Sequence, residues 1–219
     1  TSRDSNFYIS LDQKLKKDIA DSNFAPNMPG TENFGPFGAL NFQYREMGAI
    51  NSLDLFGLDE LLLFAFYWAN KNNYKNVSDI GANIGIYSLY SAVVKGNTVY
   101  AFEPHASSYK NLLDSINLNH LTRCHAYSIA ISDKVDLSTI NVKNMHEGVA
   151  DNKVGEQGEY YHGCTQMPLN FLVERKILPQ PDYIKIDVDG FENKVIEGSM
   201  QVFRNCKGLL VEIEHKHIN

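Results

Sequence analysis

Cysteine is scarce. Cys124, Cys164 and Cys206 are the only three in 219 residues, and no Cys-x-x-Cys pair occurs among them. Such an odd, scattered set suggests neither a disulfide framework nor a zinc site, and it points to a reducing compartment, the cytoplasm. Basic charge is also short. Twenty Lys and Arg face 26 Asp and Glu, giving a net charge of −6 that no basic block offsets. A nucleic-acid partner is therefore not expected. Long apolar runs are missing as well. The longest, Leu61 to Ala69, falls far below the ~20 residues of a membrane-spanning helix. No internal repeat, low-complexity segment or signal peptide is visible, although the chain starts without Met. Asn76-Val77-Ser78 matches a glycosylation sequon, but it sits at the start of a predicted strand.

What remains is ordinary globular material, 43% hydrophobic and 21% charged, in a length that suits one domain with a large core. Residues 11–21 read as a short surface helix, and the prolines and glycines of residues 23–38 as an irregular connector. Leu40 to Met47 alternates apolar and polar residues, a half-buried strand. Leu58, Leu61, Leu62 and Ala65 follow at helical spacing. Residues 1–54 are taken as an N-terminal extension and residues 55–219 as the core.

The core is organised around residues 76–93. Asn76 to Ile80 reads as a buried strand, Gly81 and Gly85 bracket a tight turn, and Ile86, Leu89, Tyr90 and Val93 form a helix stripe. Strand, glycine turn and helix make half of a βαβ nucleotide-binding unit. The spacing is Asp-x-Gly-x-x-x-Gly, with Asn83 where the dinucleotide pattern has a second close glycine. An acid at the strand end, Asp79, suits a ligand carrying positive charge, such as an amino acid headgroup or a sulfonium. Glycines there are expected to let the backbone approach that ligand.

Further strands are predicted at Thr98–Phe102, Cys124–Ile131, Asp182–Asp187 and Gly208–Glu214. Helices are predicted around Tyr109–Ile116, with Ser107 or Ser108 as N-cap, and over Leu169–Lys176 and Phe191–Phe203. Asp136 to Val142 reads as a short strand outside the main sheet. Residues 143–163 read as a long polar loop carrying His146 and His162. The βαβα alternation argues for a doubly wound, parallel sheet. Asp79, Glu103 and Asp187 each close a hydrophobic strand, and Asp133 follows a fourth. These carboxylates are expected to converge where such sheets hold ligands, beyond the carboxyl ends of their strands. Glu103 also lies near the ~20-residue offset of an acid that binds ribose hydroxyls.

Val77 to Ser88, Ala101-Phe102-Glu103-Pro104, Ala130-Ile131-Ser132-Asp133 and Ile184 to Glu192 together resemble the motifs of the FkbM-family S-adenosylmethionine-dependent methyltransferases. The resemblance runs from about Leu40 to Glu214. It implies the α/β class I methyltransferase fold, a Rossmann-like, mostly parallel sheet whose last strand is antiparallel. It also implies methyl transfer, commonly to a hydroxyl oxygen, so the expected acceptor is a hydroxyl on a small molecule or sugar. By motif, Asp79, Gly81, Asn83 and Gly85 would surround the methionine part of S-adenosyl-L-methionine. Glu103 would hold its ribose hydroxyls, and Pro104 and His105 would flank the adenine. Ser132 and Asp133 would contact the adenine edge, and Asp187 would face the transfer centre. The chain ends at Asn219, after its fifth core strand, whereas the family continues into two more, so C-terminal strands are expected to be incomplete. Asp189 stands where the family often has Glu, and His105 where Asn is more usual.

A hydroxyl acceptor has to lose a proton, and three residues are candidates to assist. Asp187 ends its strand at the crevice, Asp189 follows two residues on, and His215 follows the neighbouring strand with a side chain suited to base work near neutral pH. Asp187, Asp189 and a nearby His or Glu could hold Mg²⁺, but nothing in the sequence demands a metal. The Asn-Pro-Pro-Tyr sequence typical of amino-group methyltransferases on DNA bases is absent. Two other classes stay open at this point: a nicotinamide-dependent oxidoreductase on the same sheet, against which Asn83 argues, and a non-catalytic cofactor-binding module. The sequence is silent on oligomeric state.

Overall fold

The computed structural model describes residues 28–33, 39–44, 74–94, 96–142, 153–154 and 160–212. The central sheet has five parallel strands in the order β11-β10-β3-β4-β5. These are β3 (Asn76–Ile80), β4 (Thr98–Phe102), β5 (Cys124–Tyr127), β10 (Tyr183–Ile186) and β11 (Gly208–Val211). Helices α1 (Ile86–Val94) and α2 (Ala106–Leu118) join β3 to β4 and β4 to β5.

Strand alternation divides the core into two layers. Val77, Val99, Ala101 and Tyr183 pack with Leu89 and Tyr90 of α1 and with Leu112 and Ile116 of α2. Ile80, Phe102, Ile184 and Ile186 face the other way, toward α3 (Leu169–Glu174), α4 (Glu192–Glu197) and α5 (Met200–Phe203). Sheet residues buried on both faces give the near-continuous apolar strands expected of a parallel sheet. The architecture is the doubly wound, Rossmann-like α/β fold. From β3 the chain winds through β4 to β5 on one side, while β10 and β11 lie on the other. The switch point is therefore between β3 and β10, where open α/β sheets hold their ligands.

Several elements differ from the sequence reading. Met28–Asn33 (β1) is a strand rather than connector and pairs antiparallel with Ala39–Tyr44 (β2). Pro29 and Gly30 hid it, since both are turn residues by propensity. The apolar stretch Cys124–Ile131 breaks at Ser128, and β6 (Ile129–Ile131) leaves the main sheet for a second one, ordered β6-β9-β7-β8. That sheet contains the expected outlying strand β7 (Asp136–Val142), β8 (Lys153–Val154) and β9 (Tyr160–Met167). β9 was unexpected because its polarity is inverted. Cys164 and Gln166 are buried while Tyr161 is exposed. Phe191–Phe203 is two short helices, not one: the chain turns at Gly198 and Ser199, and Gly198 lies so close to the Ser132 carbonyl that a Cβ there would collide with it. The N-cap of α2 is His105, without a side-chain capping bond, rather than Ser107 or Ser108. The expected helices at 11–21 and 58–65, the apolar run 61–69, His146 and His215 lie outside the described residues. Among the described residues no helix is long and apolar enough to cross a membrane.

Candidate active site

The β3–α1 turn is built from left-handed residues, Gly81 (φ 77°), Asn83 (φ 50°) and Gly85 (φ 94°). Its first two amides, Gly81 and Ala82, both donate to the Phe102 carbonyl at 3.0 Å, which ties the turn to the end of β4. The glycines serve the protein's own packing as much as a ligand. A Cβ at Gly81 would collide with the Asp187 carbonyl, and one at Gly85 with Leu112 and Leu89. Both positive φ and contact therefore demand glycine there.

One residue beyond β4, Glu103 is 7% exposed. One carboxylate oxygen accepts the Asn83 amide and the other the His105 amide, each at 2.7 Å. Burial pushes this carboxyl up to about 7, against the opposing pull of those two amides. A carboxylate offers about four acceptor positions, so capacity remains for donors on a ligand. Next to it His105 is 1% exposed, with Nδ1 3.0 Å from the Ser108 hydroxyl and Nε2 without a partner. Burial, with His162 nearby, pulls the imidazole down to about 4, so the ring is neutral at physiological pH. The His162 ring lies 5.6 Å away, and its Nε2 accepts the Ala106 amide at 3.4 Å. His162 sits on β9, so the second sheet reaches the site.

The floor between β3 and β10 holds a lysine that the sequence reading passed over. Register sets Lys185 opposite Asp79. Its Nζ lies 3.5 Å from Asp79, 3.1 Å from Asp187, 3.0 Å from the Gly81 carbonyl and 4.4 Å from the centre of the Tyr87 ring. The signal was present, since a lysine inside a strand as apolar as Tyr183–Ile186 needs an anion to be buried at all. Asp79 is not at the strand end. It is one residue inside, buried, and accepts the Ser88 hydroxyl of α1 at 2.6 Å. Asp187 is more open, and Asp189 (φ 50°) and Gly190 (φ 90°) form the turn into α4.

A cleft opens over these strand ends. Of the residues singled out from sequence, Gly81, Asn83, Glu103, Pro104, His105, Asp187 and Asp189 line it together. Asp79 lies behind that lining and Gly85 packs under α2. Ser132 and Asp133 are not part of it: Ser132 is buried, and Asp133 pairs with Lys194 of α4 at 2.7 Å, which holds its carboxyl below the usual range. Apart from Ser108 the remaining lining is apolar and includes Ile129 to Ile131, Ile140, Val188 and Phe191. Among the described residues no cluster of three His, Cys, Asp or Glu side chains is placed to hold a metal. The arrangement suits a ligand with hydroxyl donors at the Glu103 end and positive charge at the Asp187 end.

Known proteins bear on this site. Hexuronic acid methyltransferase AglP of Haloferax volcanii is 26% identical over 138 residues, covering 62% of this chain and 54% of AglP. The chain thus spans about half the length of that relative. Among solved structures, M. jannaschii TYW2 in complex with AdoMet aligns with a TM-score of 0.32 and 19% identity, over 52% of this chain and 54% of that one. The N-terminal domain of human METTL16 aligns with a TM-score of 0.33 and 13% identity, over 56% and 54%. At such scores the fold assignment rests on the strand order itself. The sequence model of the Methyltransferase FkbM domain matches residues 79–219, from the glycine turn through Glu103 and the Asp187 strand end. That is more than half of the residues, and the chain belongs to the FkbM methyltransferase family.

Proposed function

We propose that this protein transfers the methyl group of S-adenosylmethionine to a hydroxyl oxygen of a small molecule or sugar. S-adenosylmethionine is the methyl donor of the family, and when bound it supplies a sulfonium-activated methyl group. The observation that carries the reading is Glu103, a nearly buried carboxyl one residue beyond β4, on the strand next to the switch point, whose two oxygens are each aimed by a backbone amide. The cleft fits this donor on its own atoms. Asn83 Oδ1 and His105 Nε2 are buried, on the lining and without a partner, so each is left for a ligand to satisfy. Glu103 would hold the ribose hydroxyls, Asn83 the polar end of the methionine part, and Pro104 and His105 a face of the base.

Catalysis then rests on alignment and on the acceptor's proton. Asp187 stands at the transfer end, positioned from below by Lys185. Val188 and Phe191 give that end an apolar wall that excludes water. Asp187 takes up or electrostatically supports the proton leaving the acceptor hydroxyl, with Asp189 or His215 as helper. The name of AglP supports a sugar-type acceptor. Three acids and no Lys or Arg among the described lining residues support a partner other than nucleic acid. Three free cysteines support a reducing compartment such as the cytoplasm.

The test is transfer of a labelled methyl group to a panel of glycosides and small alcohols. Asp187→Asn should lower turnover by ~10²–10⁴ while donor affinity falls less than about tenfold. A loss of turnover fully matched by lost affinity would make Asp187 a binding residue only, and no transfer to any hydroxyl would overturn the reaction class.

A further inference from the structure

Lys185 is nearly buried, with a side chain 5% exposed, and it lies under the cleft rather than in it. It bridges two carboxylates of unlike setting. Asp79 is sealed against α1, whereas the Asp187 side chain is 29% exposed and lines the cleft. The Gly81 carbonyl and the Tyr87 ring hold the ammonium from the other sides, so it is pinned in place. Two carboxylates and one ammonium leave one negative charge in the floor, in surroundings poorer in water than bulk solvent.

We propose that the Asp79–Lys185–Asp187 triad makes the cleft discriminate the positively charged methyl donor from its neutral thioether product, with Lys185 as the positioning residue that sets the floor at a single negative charge. This rests on the proposed function. The sulfonium of the donor neutralises the floor, and transfer of the methyl group removes that positive charge while the rest of the ligand is unchanged. The product is then held by Glu103 and the rest of the cradle without the floor's contribution, which favours its release. With no lysine the floor would carry two negative charges beside the sulfonium, and without Asp187 it would carry none.

Calorimetry on the full chain with S-adenosylmethionine and S-adenosylhomocysteine tests this. The two ligands differ by one methyl group and one charge, so the ratio of their Kd values within one protein cancels partial loss of fold. Asp187→Asn, at the most open of the three positions, should shift the ratio toward the product by about fivefold or more. Lys185→Met should shift it toward the donor by a similar factor. The double variant Asp79→Asn with Lys185→Met restores a single negative charge and should return the ratio to the wild-type value. Ratios that stay within about twofold of wild type in both single variants would overturn the proposal while leaving cofactor binding intact. A wild-type chain that binds neither ligand would instead overturn the proposed function, and the triad's role with it.

Discussion

Lowering the pH from 7 to 5.5 should weaken nucleoside binding through one carboxyl. Glu103 is buried, and burial places its midpoint at about 7 in the free protein, so near neutrality half of the molecules carry a proton there. Ribose hydroxyls are donors and favour the ionised form, so binding must expel that proton. Below the midpoint, apparent affinity then falls toward tenfold per pH unit. From pH 7 to 5.5 the ionised fraction drops about fifteenfold, equivalent to ~1.6 kcal/mol. Titrations with S-adenosylhomocysteine in buffers of different ionisation enthalpy would count the protons released, about half of one at pH 7 and nearly one at pH 5.5. Glu103→Gln should bind more weakly at pH 8 and show no such release. The free protein should show the linked effect on stability. Between the unfolded midpoint near 4.5 and the folded one, the native state holds a proton that the unfolded state has lost. Stability therefore falls as pH rises through that window, by up to about 3 kcal/mol. Affinity that stays flat from pH 5.5 to 8, or proton uptake on binding, would refute the assignment of Glu103 to the ligand's hydroxyls.

His105 should act with the opposite sign. Its imidazole is pulled down to about 4, so between there and 6.5 the unfolded state binds the extra proton and stability rises with pH. His105→Phe removes that term, and urea unfolding at pH 5 and 7 should show a steeper loss of stability with rising pH than wild type; an unchanged slope would deny the neutral, buried ring. Three glycines separate backbone strain from collision. Gly96→Ala, at φ 67° with open space around it, should lose only ~1 kcal/mol, whereas Gly81→Ala and Gly85→Ala should lose more than ~3 kcal/mol or fail to fold. Equal losses in chemical denaturation at all three would show that the close approaches to Asp187 and Leu112 are not what the turn requires.

Much of the central sheet was legible because its signals are local. Asn76–Ile80, Thr98–Phe102 and Tyr183–Ile186 are short apolar runs closed by acids or glycine, and each is a strand where expected. Glu103 could be named from its offset, Asp187 from closing an apolar strand and the glycine turn from its spacing, and Gly81, Asn83, Glu103 and Asp187 lie on one cleft. The second sheet was harder to see. Leu137 is 81% exposed on β7 while His162, Cys164 and Gln166 face inward on β9, so apolar alternation points the wrong way. The break at Ser128 was equally hidden, because β5 and β6 are both apolar and only their partners differ.

By itself, then, the sequence determined the doubly wound class, the central-sheet segments around residues 76–80, 98–102 and 183–186, and the acids Glu103 and Asp187 that follow two of them, since propensity and periodicity act over a few residues. Tertiary structure decided which charges meet. Lys185 and Asp79 lie 106 positions apart, and only the parallel register of β10 on β3 sets them opposite each other. That register also puts the Asp187 carbonyl against Gly81, which turns a glycine expected to face a ligand into one required by a neighbouring strand. Pairing across a sheet depends on which crossover brings two strands together, and no window of local sequence contains both partners.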